Sequence, residues 1–214
     1  MNKLFLIAIL TMIASTSCSQ NFESIKQELL VIHKEDQDIR HEWIAALNHP
    51  THSTKTIDSL GKIMETKDSV NIIHVSRILD DYGWLGKDKI GPDANQTLFL
   101  VVQHSDLEIQ QKYLPMIRKA SLVGDASKSH LALLEDRVAL REGKMQIYGS
   151  QVGQFLGSKE YYILPLKDPE TVDVRRAEVG LQPLADYVKQ WKIVWDPQAY
   201  IKQLPKIKEL NGFK

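Results

Sequence analysis

Residues 22–46, FESIKQELLVIHKEDQDIRHEWIAA, carry apolar side chains at a spacing of three and four residues. This spacing places the apolar side chains along one face of an α-helix, as in a helix that packs against a core. The apolar positions are Phe22, Ile25, Leu29, Ile32, Ile39, Trp43 and Ala46. The stretch therefore predicts a long amphipathic helix and favours a mainly α fold.

One position in this apolar stripe is charged. The spacing passes through Asp36, and Arg40 follows four residues later on the same face. A carboxylate that points toward a core or cleft needs a partner of opposite charge, because burying an unpaired charge is costly. Two interpretations remain open: an ion pair between Asp36 and Arg40 that fixes the helix, or a ligand site that both residues line.

The segments after this first helix predict four more helices up to about residue 143. Asp68 has the residue type of an N-cap for a helix that ends near Gly83. For Asp68 and Asn71, the alternative to capping is a role in binding. Ser127 or Ser129 is expected to cap the last of the four helices.

His104 is predicted to lie at a corner between two helices. Pro92 is typical of a helix start, and the helix that it opens ends at His104. Ser105 and Glu108 have the spacing of a capping box that begins the next helix. The imidazole is expected either to cap carbonyl groups at the helix end or to act as a general acid and base, since its ordinary pKa lies near neutrality.

The pattern changes after residue 143. Residues 145–152 and 161–166 read as two short strands of a β-hairpin, with Gly153 and Gly157 between them. A helix that ends at Gly180 and a last helical region from Pro183 follow. We therefore predict a mainly α fold, a bundle of about six to seven helices with one small β-hairpin at about residues 145–166.

Several polar residues stand where a helical bundle would carry apolar ones, and we expect them to line one cleft. They are Asp36, Arg40, His104, Arg137, Gln146, Tyr148, Gln151, Arg175 and Arg176. Guanidinium groups bind carboxylate and phosphate groups through paired hydrogen bonds, so this set suits a small anionic ligand. The alternative is a buried polar network that specifies the packing.

The first twenty residues have the pattern of a secretory signal peptide. Lys3 precedes an apolar run at residues 4–14, and small residues at 15–17 precede Cys18. The apolar run is too short for a membrane span, which needs about 20 residues. We expect a signal peptide at residues 1–17, cleavage before Cys18 and a lipid on Cys18, with cleavage by an ordinary signal peptidase as the alternative. Residues 18–214 are expected to form a single globular helical domain.

Composition and motifs exclude several classes of function. The 27 Lys and Arg side chains match 27 Asp and Glu side chains, so no general attraction to nucleic acid is expected. The chain has one cysteine, so no disulfide forms within it. It has no Gly-x-Ser-x-Gly elbow, no phosphate-binding glycine loop with lysine and no His-Glu-x-x-His helix. We expect no metal and no cofactor.

Short motifs between residues 29 and 188 keep a characteristic order. They are Asp36-Gln37 with Arg40, Asp68 with Asn71, Gly83-Trp84, Gly91, Val102-Gln103-His104-Ser105-Asp106, Asp136-Arg137, Gln146-Ile147-Tyr148-Gly149-Ser150-Gln151, Val172-Asp173 with Arg175-Arg176, and Val179-Gly180-Leu181. Their order and spacing resemble domain of unknown function family 6624. This sequence has Leu85 and Ser150 where that family usually has Pro and Thr. The resemblance implies a shared fold and brings no known activity.

Two classes of function stay open on the sequence alone. The first is an exported lipoprotein of the bacterial cell envelope, anchored in a membrane by the lipid on Cys18 and facing the periplasm or the cell surface. It would bind a small anionic ligand or an envelope protein partner. The second is an envelope hydrolase or transferase in which His104 is the general base, Asp36 orients it or shares its proton, and the arginines hold the charge of the substrate.

Overall fold

The computed structural model describes the backbone of residues 3–49 and 51–213 and the side chains of residues 21–49 and 51–213. The predicted signal peptide and the side chain of Cys18 lie outside the described side chains. The chain forms two compact units, residues 1–105 and 106–214. The expectation of a single domain over residues 18–214 stays a prediction. Within the described part of the chain, no helix combines the length and apolar character of a membrane span.

The first unit is helical throughout its described elements. These are α1 (Lys3–Asn48), α2 (Thr54–Tyr82), α3 (Lys87–Ile90) and α4 (Pro92–His104). Helices α1, α2 and α4 pack against one another, because each presents an apolar stripe to the other two. The buried stripes include Leu29, Ile32, Ile39, Val75, Ile78, Leu79, Leu98 and Val102.

Polar pairs along α1 and α2 show that the two helices run antiparallel. Glu28 pairs with Arg77 at 2.8 Å, and Glu35 pairs with Lys67 at 3.3 Å. Partners later in α1 thus meet partners earlier in α2. This register brings the last third of α1, with Asp36 and Arg40, beside the middle of α2.

The structure corrects the predicted start of α2. Ser53 is the N-cap and accepts a hydrogen bond from the backbone N–H of Thr56 at 3.2 Å. The helix then continues through Asp68 and Asn71, so neither residue is a cap. The error has a physical cause: an aspartate that faces a buried partner inside a helix has the same residue type as a cap.

The second unit combines short helices with the predicted hairpin. Its described elements are α5 (Leu107–Val123), α6 (Lys128–Arg141), β1 (Val152–Gln154), β2 (Tyr161–Ile163), a 3-10 helix (Pro169–Thr171), α7 (Val172–Glu178), α8 (Leu184–Val188), a second 3-10 helix (Lys189–Trp191) and α9 (Pro197–Leu210). Strands β1 and β2 pair antiparallel, with Val152 opposite Ile163 and Gln154 opposite Tyr161. The hairpin and the last helices share an apolar core, formed by Ile163, Leu166, Val172, Leu184, Val188, Tyr200 and Ile207.

The predicted fold class, mainly α with one small hairpin, is confirmed. The described residues form nine α-helices, where the sequence predicted about six to seven. The additional helices arise because α3 is a short element before α4, and because the last helical region divides at Asp196. That residue caps α9 by accepting hydrogen bonds from Gln198 and Ala199.

Two local predictions differ from the structure. The strands are shorter than predicted, and Gln146 and Leu166 form only an isolated bridge. Ser105 does not begin a capping box: its hydroxyl donates to the carbonyl of Val101, and Asp106 caps α5 by accepting from Ile109 at 2.9 Å. Ser105 is therefore the C-cap of α4, and Asp106, not Ser105, is the N-cap of α5.

Candidate functional site

The first unit contains a polar cluster at the meeting of α1, α2 and α4. Its centre is the Asp36 carboxylate, which is 1% exposed. Oδ1 of Asp36 lies 3.0 Å from Nδ1 of His104, and Oδ2 accepts a hydrogen bond from Nε2 of Gln37 at 2.7 Å. Both oxygens of a buried carboxylate are therefore engaged, as burial requires.

Arg40 connects the remaining members of the cluster. Its Nη2 lies 2.8 Å from Oδ1 of Asp68 and 3.4 Å from Oδ1 of Asp36. The α-helical spacing of four residues places Arg40 beside Asp36, and the antiparallel register places Asp68 opposite Arg40. We call Asp36, Arg40, Asp68 and His104 the acid–base cluster.

Hydrogen-bond chemistry selects one arrangement of the His104 ring. Nε of Arg40 lies 3.1 Å from Nδ1 and 3.3 Å from Nε2 of His104. One N–H cannot point along both ring lone pairs, because these diverge in the plane of the imidazole, so at most one contact is a directed hydrogen bond. A neutral imidazole has one donor and one acceptor nitrogen. If Nδ1–H donates to Asp36, Nε2 is the nitrogen that carries the lone pair.

The two carboxyl groups of the cluster have opposite pKa shifts. Burial acts to raise the pKa of Asp36, but the hydrogen bond and charge of His104, together with Arg40, outweigh it and hold that pKa below the ordinary value. For Asp68, burial outweighs the attraction of Arg40 and raises the pKa, with the nearby Asp36 charge adding to the rise. Asp36 is thus the group that stays ionised, and Asp68 is the one that takes up a proton more readily.

Exposure differs across the cluster in a way that matters for chemistry. The side chains of His104 and Asp68 are 17% and 22% exposed, whereas that of Asp36 is 1% exposed. Solvent or a small molecule therefore has access to the imidazole and to Asp68. The Asp36 carboxylate lies behind them.

Asp36, Asp68 and His104 also have the composition of a cation site. One ligand atom from each lies within 4.8 Å of the others. Carboxylate and imidazole groups are common ligands of divalent metals. However, Nη2 of Arg40 already supplies a positive charge between the two carboxylates, so a metal ion would have to displace it.

The structure brings together three of the residues that the sequence singled out: Asp36, Arg40 and His104. It adds Asp68, which sequence reasoning took for a helix cap. A signal for Asp68 was present, because Asp68 precedes Asn71 and Val75 at the spacing of the buried face of α2. His104 is the last residue of α4, as predicted. Its ring contacts the Asp36 carboxylate and not carbonyl groups at the end of its own helix.

The other six candidate residues belong to the second unit, where Asp136 organises residues 146–151. The Asp136 side chain is fully buried and accepts hydrogen bonds from the backbone N–H groups of Ile147 at 2.6 Å, Tyr148 at 2.9 Å and Ser150 at 2.9 Å. Burial raises the pKa of Asp136, and the backbone hydrogen bonds oppose that rise. These N–H groups donate to a carboxylate instead of to carbonyl groups of a neighbouring strand. This explains why β1 begins only at Val152.

The side chain of Gln146 forms hydrogen bonds with the backbone of the same loop and of Leu164. Its Nε2 donates to the carbonyls of Gln151 at 3.0 Å and Leu164 at 2.8 Å, and its Oε1 accepts from the N–H of Gln151 at 2.9 Å. The Gln151 side chain donates to Oγ of Ser150 at 3.1 Å. The polar atoms of Gln146 are therefore committed to the backbone of the loop.

Arg175 and Arg176 likewise bind backbone carbonyls. Arg175 donates to Ile147, Lys167 and Asp168 at 2.7–3.0 Å. Arg176 is fully buried, donates to Tyr148 at 2.6 Å, and lies 4.8 Å from the centroid of the Tyr187 ring. These contacts favour the interpretation that both arginines stabilise the loop.

Tyr148 and Arg137 complete the candidate set. Both are half-buried, and burial raises the pKa of the Tyr148 phenol. Arg137 follows Asp136 on α6. A ligand-binding role for the six residues of the second unit stays a prediction.

The comparisons with known proteins concern the family alone. A family model described as a family of unknown function (DUF6624) matches residues 23–199. No curated protein and no solved structure shows a significant match to the chain. The matched range includes the acid–base cluster and the loop that Asp136 organises. The chain therefore belongs to the family of unknown function DUF6624.

Proposed function

We propose that the acid–base cluster is a catalytic site of a hydrolase or transferase, in which His104 moves a proton and Asp36 holds the imidazole in position. The observation that carries this proposal is the 3.0 Å contact between Oδ1 of Asp36 and Nδ1 of His104. It joins a carboxylate hidden from solvent to an imidazole that solvent reaches. A buried carboxylate behind an accessible histidine is the arrangement of many general bases.

The division of roles follows from the two ring nitrogens. Nδ1–H donates to Asp36, so Nε2 carries the lone pair. This nitrogen accepts a proton from water or from a substrate hydroxyl once Nε–H of Arg40, 3.3 Å away, has turned from it. The negative charge of Asp36 then stabilises the imidazolium that forms. In the second half of the reaction, the same Nε2–H donates its proton to the leaving group.

Asp68 and Arg40 support this chemistry. Arg40 neutralises part of the charge of the two carboxylates, which lets both stay close to His104. Asp68 is accessible and burial raises its pKa, so it provides a second group that takes up a proton more readily than an ordinary aspartate.

A second function is favoured by one specific observation. Nη1 of Arg40 is buried and has no hydrogen-bond partner among the described residues. Such a donor suits non-catalytic binding of a small ligand that has an anionic group, or of an envelope protein that presents one. In that case His104 and Asp36 form a structural pair.

We further propose that the chain is an exported lipoprotein of the bacterial cell envelope. The support is the pattern of residues 1–18, with a charged start, an apolar run and Cys18 after small residues. A lipid on Cys18 would hold the protein at a membrane, facing the periplasm or the cell surface. This would give the acid–base cluster substrates or ligands of the envelope.

The test of catalysis compares His104→Gln with His41→Gln. His41 lies next to Arg40 on α1 but is exposed, so it serves as a matched control. The full chain is assayed against chromogenic esters, amides, phosphate esters and glycosides. Loss of a general base should lower kcat by about 10²–10⁴ in His104→Gln alone. If no substrate class is turned over, or if His104→Gln retains full activity, His104 is not a general base.

A further inference from the structure

Two buried hydrogen-bond donors of α1 and α2 have no acceptor among the described residues. They are Nη1 of Arg40 and Nδ2 of Asn71. Asn71 is 3% exposed, so water of the bulk solvent does not serve its amide. Buried donors in folded proteins are nearly always paired, and each exception needs an explanation. Two exceptions close to one site indicate a missing acceptor.

The helix register places both donors in the same region. Asn71 lies midway between Lys67, which pairs with Glu35, and His74, which pairs with Glu28. It is therefore opposite residues 31–32 of α1, one turn before Asp36. Asn71 also lies three residues after Asp68, on the same face of α2.

The direction of helical side chains brings the two donors closer still. Side chains on a helix lean toward its N-terminus. Arg40 therefore leans back over the turn of α1 that holds Asp36, as its contacts with Asp36 and His104 show. Asn71 leans toward the turn of α2 that holds Asp68. Both donors thus lean toward the level of Asp36 and Asp68 along the two helices.

We infer that Asn71 and Arg40 form a binding subsite for the acyl oxygen of a carbonyl or carboxylate group, held beside His104. This inference deepens the proposed catalytic function and rests on it. It makes Asn71 a substrate-binding residue and makes carboxylic esters, amides or their acids the class of ligand. Acyl oxygens are acceptors, which is the partner that both donors lack.

The charge of the cluster favours an acyl oxygen over a phosphate. Asp36 and Asp68 bring two carboxylates, and among the described residues Arg40 is the cation in an ion pair with both. A dianionic phosphate would meet two negative groups, whereas a neutral carbonyl or a singly charged carboxylate meets less repulsion. A carbonyl oxygen that becomes negative during the reaction gains most from the two donors.

The subsite is consistent with a balanced acyl transfer. Water attacks the carbonyl carbon, its proton passes to Nε2 of His104, and the π electron pair moves to the oxygen held by Asn71 and Arg40. That pair then re-forms the C=O bond, the bond to the leaving oxygen or nitrogen breaks, and Nε2–H protonates the leaving group. The products are a carboxylic acid and an alcohol or amine.

The test observes the side-chain amide of Asn71 directly. The ¹⁵N-labelled full chain is titrated with sodium acetate, acetamide and inorganic phosphate, and the Asn71 NH₂ resonances are followed by NMR. Asn71→Asp, which keeps the shape but replaces the donor, is compared with Asn48→Asp, an exposed asparagine of α1. We expect acetate or acetamide to shift the Asn71 resonances saturably, and phosphate to do so at least about tenfold more weakly.

The variants make the result decisive. Acetate binding to the variants is measured by isothermal titration calorimetry, because Asn71→Asp has no NH₂ group to observe. Asn71→Asp should weaken this binding about tenfold or more, the effect of losing a hydrogen bond to a charged group, and Asn48→Asp should not weaken it. Shifts with acetate alone identify a carboxylate as the ligand, and shifts with acetamide as well identify a carbonyl. Asn71 resonances that no acyl probe moves, or that phosphate moves more strongly, overturn the inference, because the donors then serve a fixed water or another ligand.

The same samples separate this inference from the proposed function. His104→Gln should abolish turnover of esters but leave acetate binding at Asn71. If it leaves turnover unchanged while acetate still binds, the catalytic proposal is wrong and the subsite stands. If it abolishes turnover but no acyl probe reaches Asn71, the catalytic proposal stands and the subsite is wrong.

Discussion

Asp36 and His104 are 68 residues apart in the chain, yet Oδ1 of the first lies 3.0 Å from Nδ1 of the second. The carboxylate is buried and the imidazole is accessible. A contact of this kind contributes to stability and to chemistry at the same time. Substitution can separate the contribution to the free energy of unfolding from the contribution to proton transfer, because removing the charge and removing the side-chain shape affect the two differently.

Removal of the Asp36 carboxylate should destabilise the first unit. Asp36→Ala leaves His104 and Arg40 without their shared partner, and breaking a buried charged pair costs about 3–5 kcal/mol. Asp38→Asn is the matched control, because Asp38 is exposed and forms its ion pair with the exposed Lys34; it should cost less than about 0.5 kcal/mol. Urea unfolding measures both. Equal effects would mean that the Asp36 contacts contribute nothing specific.

The pKa of Asp36 gives a prediction for acid. Its pKa is lower in the folded protein than in the unfolded chain, where aspartate titrates at about 3.9. The stabilising contribution of Asp36 is therefore complete above that unfolded value and is lost as the pH falls through the lower folded value. The free energy of unfolding of the wild type should fall more steeply below about pH 4 than that of Asp36→Asn. Parallel curves for the two proteins would contradict the lowered pKa.

Asp136 should be the principal stabilising residue of the loop at 146–151. Asp136→Ala leaves three backbone N–H groups without an acceptor; that of Ser150 is buried and costs about 1–3 kcal/mol, and those of Ile147 and Tyr148 are part-buried and cost less. Glu135→Gln, on the neighbouring residue, alters only an exposed pair with Arg118 and should cost less than about 1 kcal/mol. Hydrogen exchange of the amides of Ile147, Tyr148 and Ser150 provides the direct measurement. Protection that survives Asp136→Ala would show that other groups hold the loop.

The proposed lipid anchor predicts a simple change of location. Cys18→Ser removes the thiol that would carry the lipid, so the protein should leave the membrane fraction of the exporting cell. Ser24→Ala, an exposed position on α1, serves as the control and should stay in that fraction. Mass spectrometry of the N-terminus identifies the lipid. A wild-type N-terminus without lipid, or membrane association that persists in Cys18→Ser, would refute the anchor.

Local spacing was enough to predict the helical character of the fold and part of the site. The repeat of three and four residues identified α1, and the same repeat placed Asp36 and Arg40 on one buried face. Pro92 and the capping residues located the ends of α4, and hence His104, to within a residue. These features depend on residues within a few positions of one another, which is the range over which helix geometry is regular.

The spacing of residues along the chain could not predict contacts between elements that are distant in sequence. Asp68 has the same residue type in a cap and in a buried ion pair, and only the packing of α2 on α1 distinguishes the two. Arg175 and Arg176 have donors for either a ligand or a carbonyl, and only the path of the loop at 146–151 shows that its carbonyls accept from Nε of Arg175 and from Nη1 of Arg176.

The sequence by itself therefore determined the helices, their buried faces and the charged residues on those faces. The tertiary structure alone decided which charged residues meet. The reason is physical: the face of a helix depends on local backbone geometry, whereas the partner of a side chain depends on the register between elements, which is selected by burial of apolar surface over the whole unit.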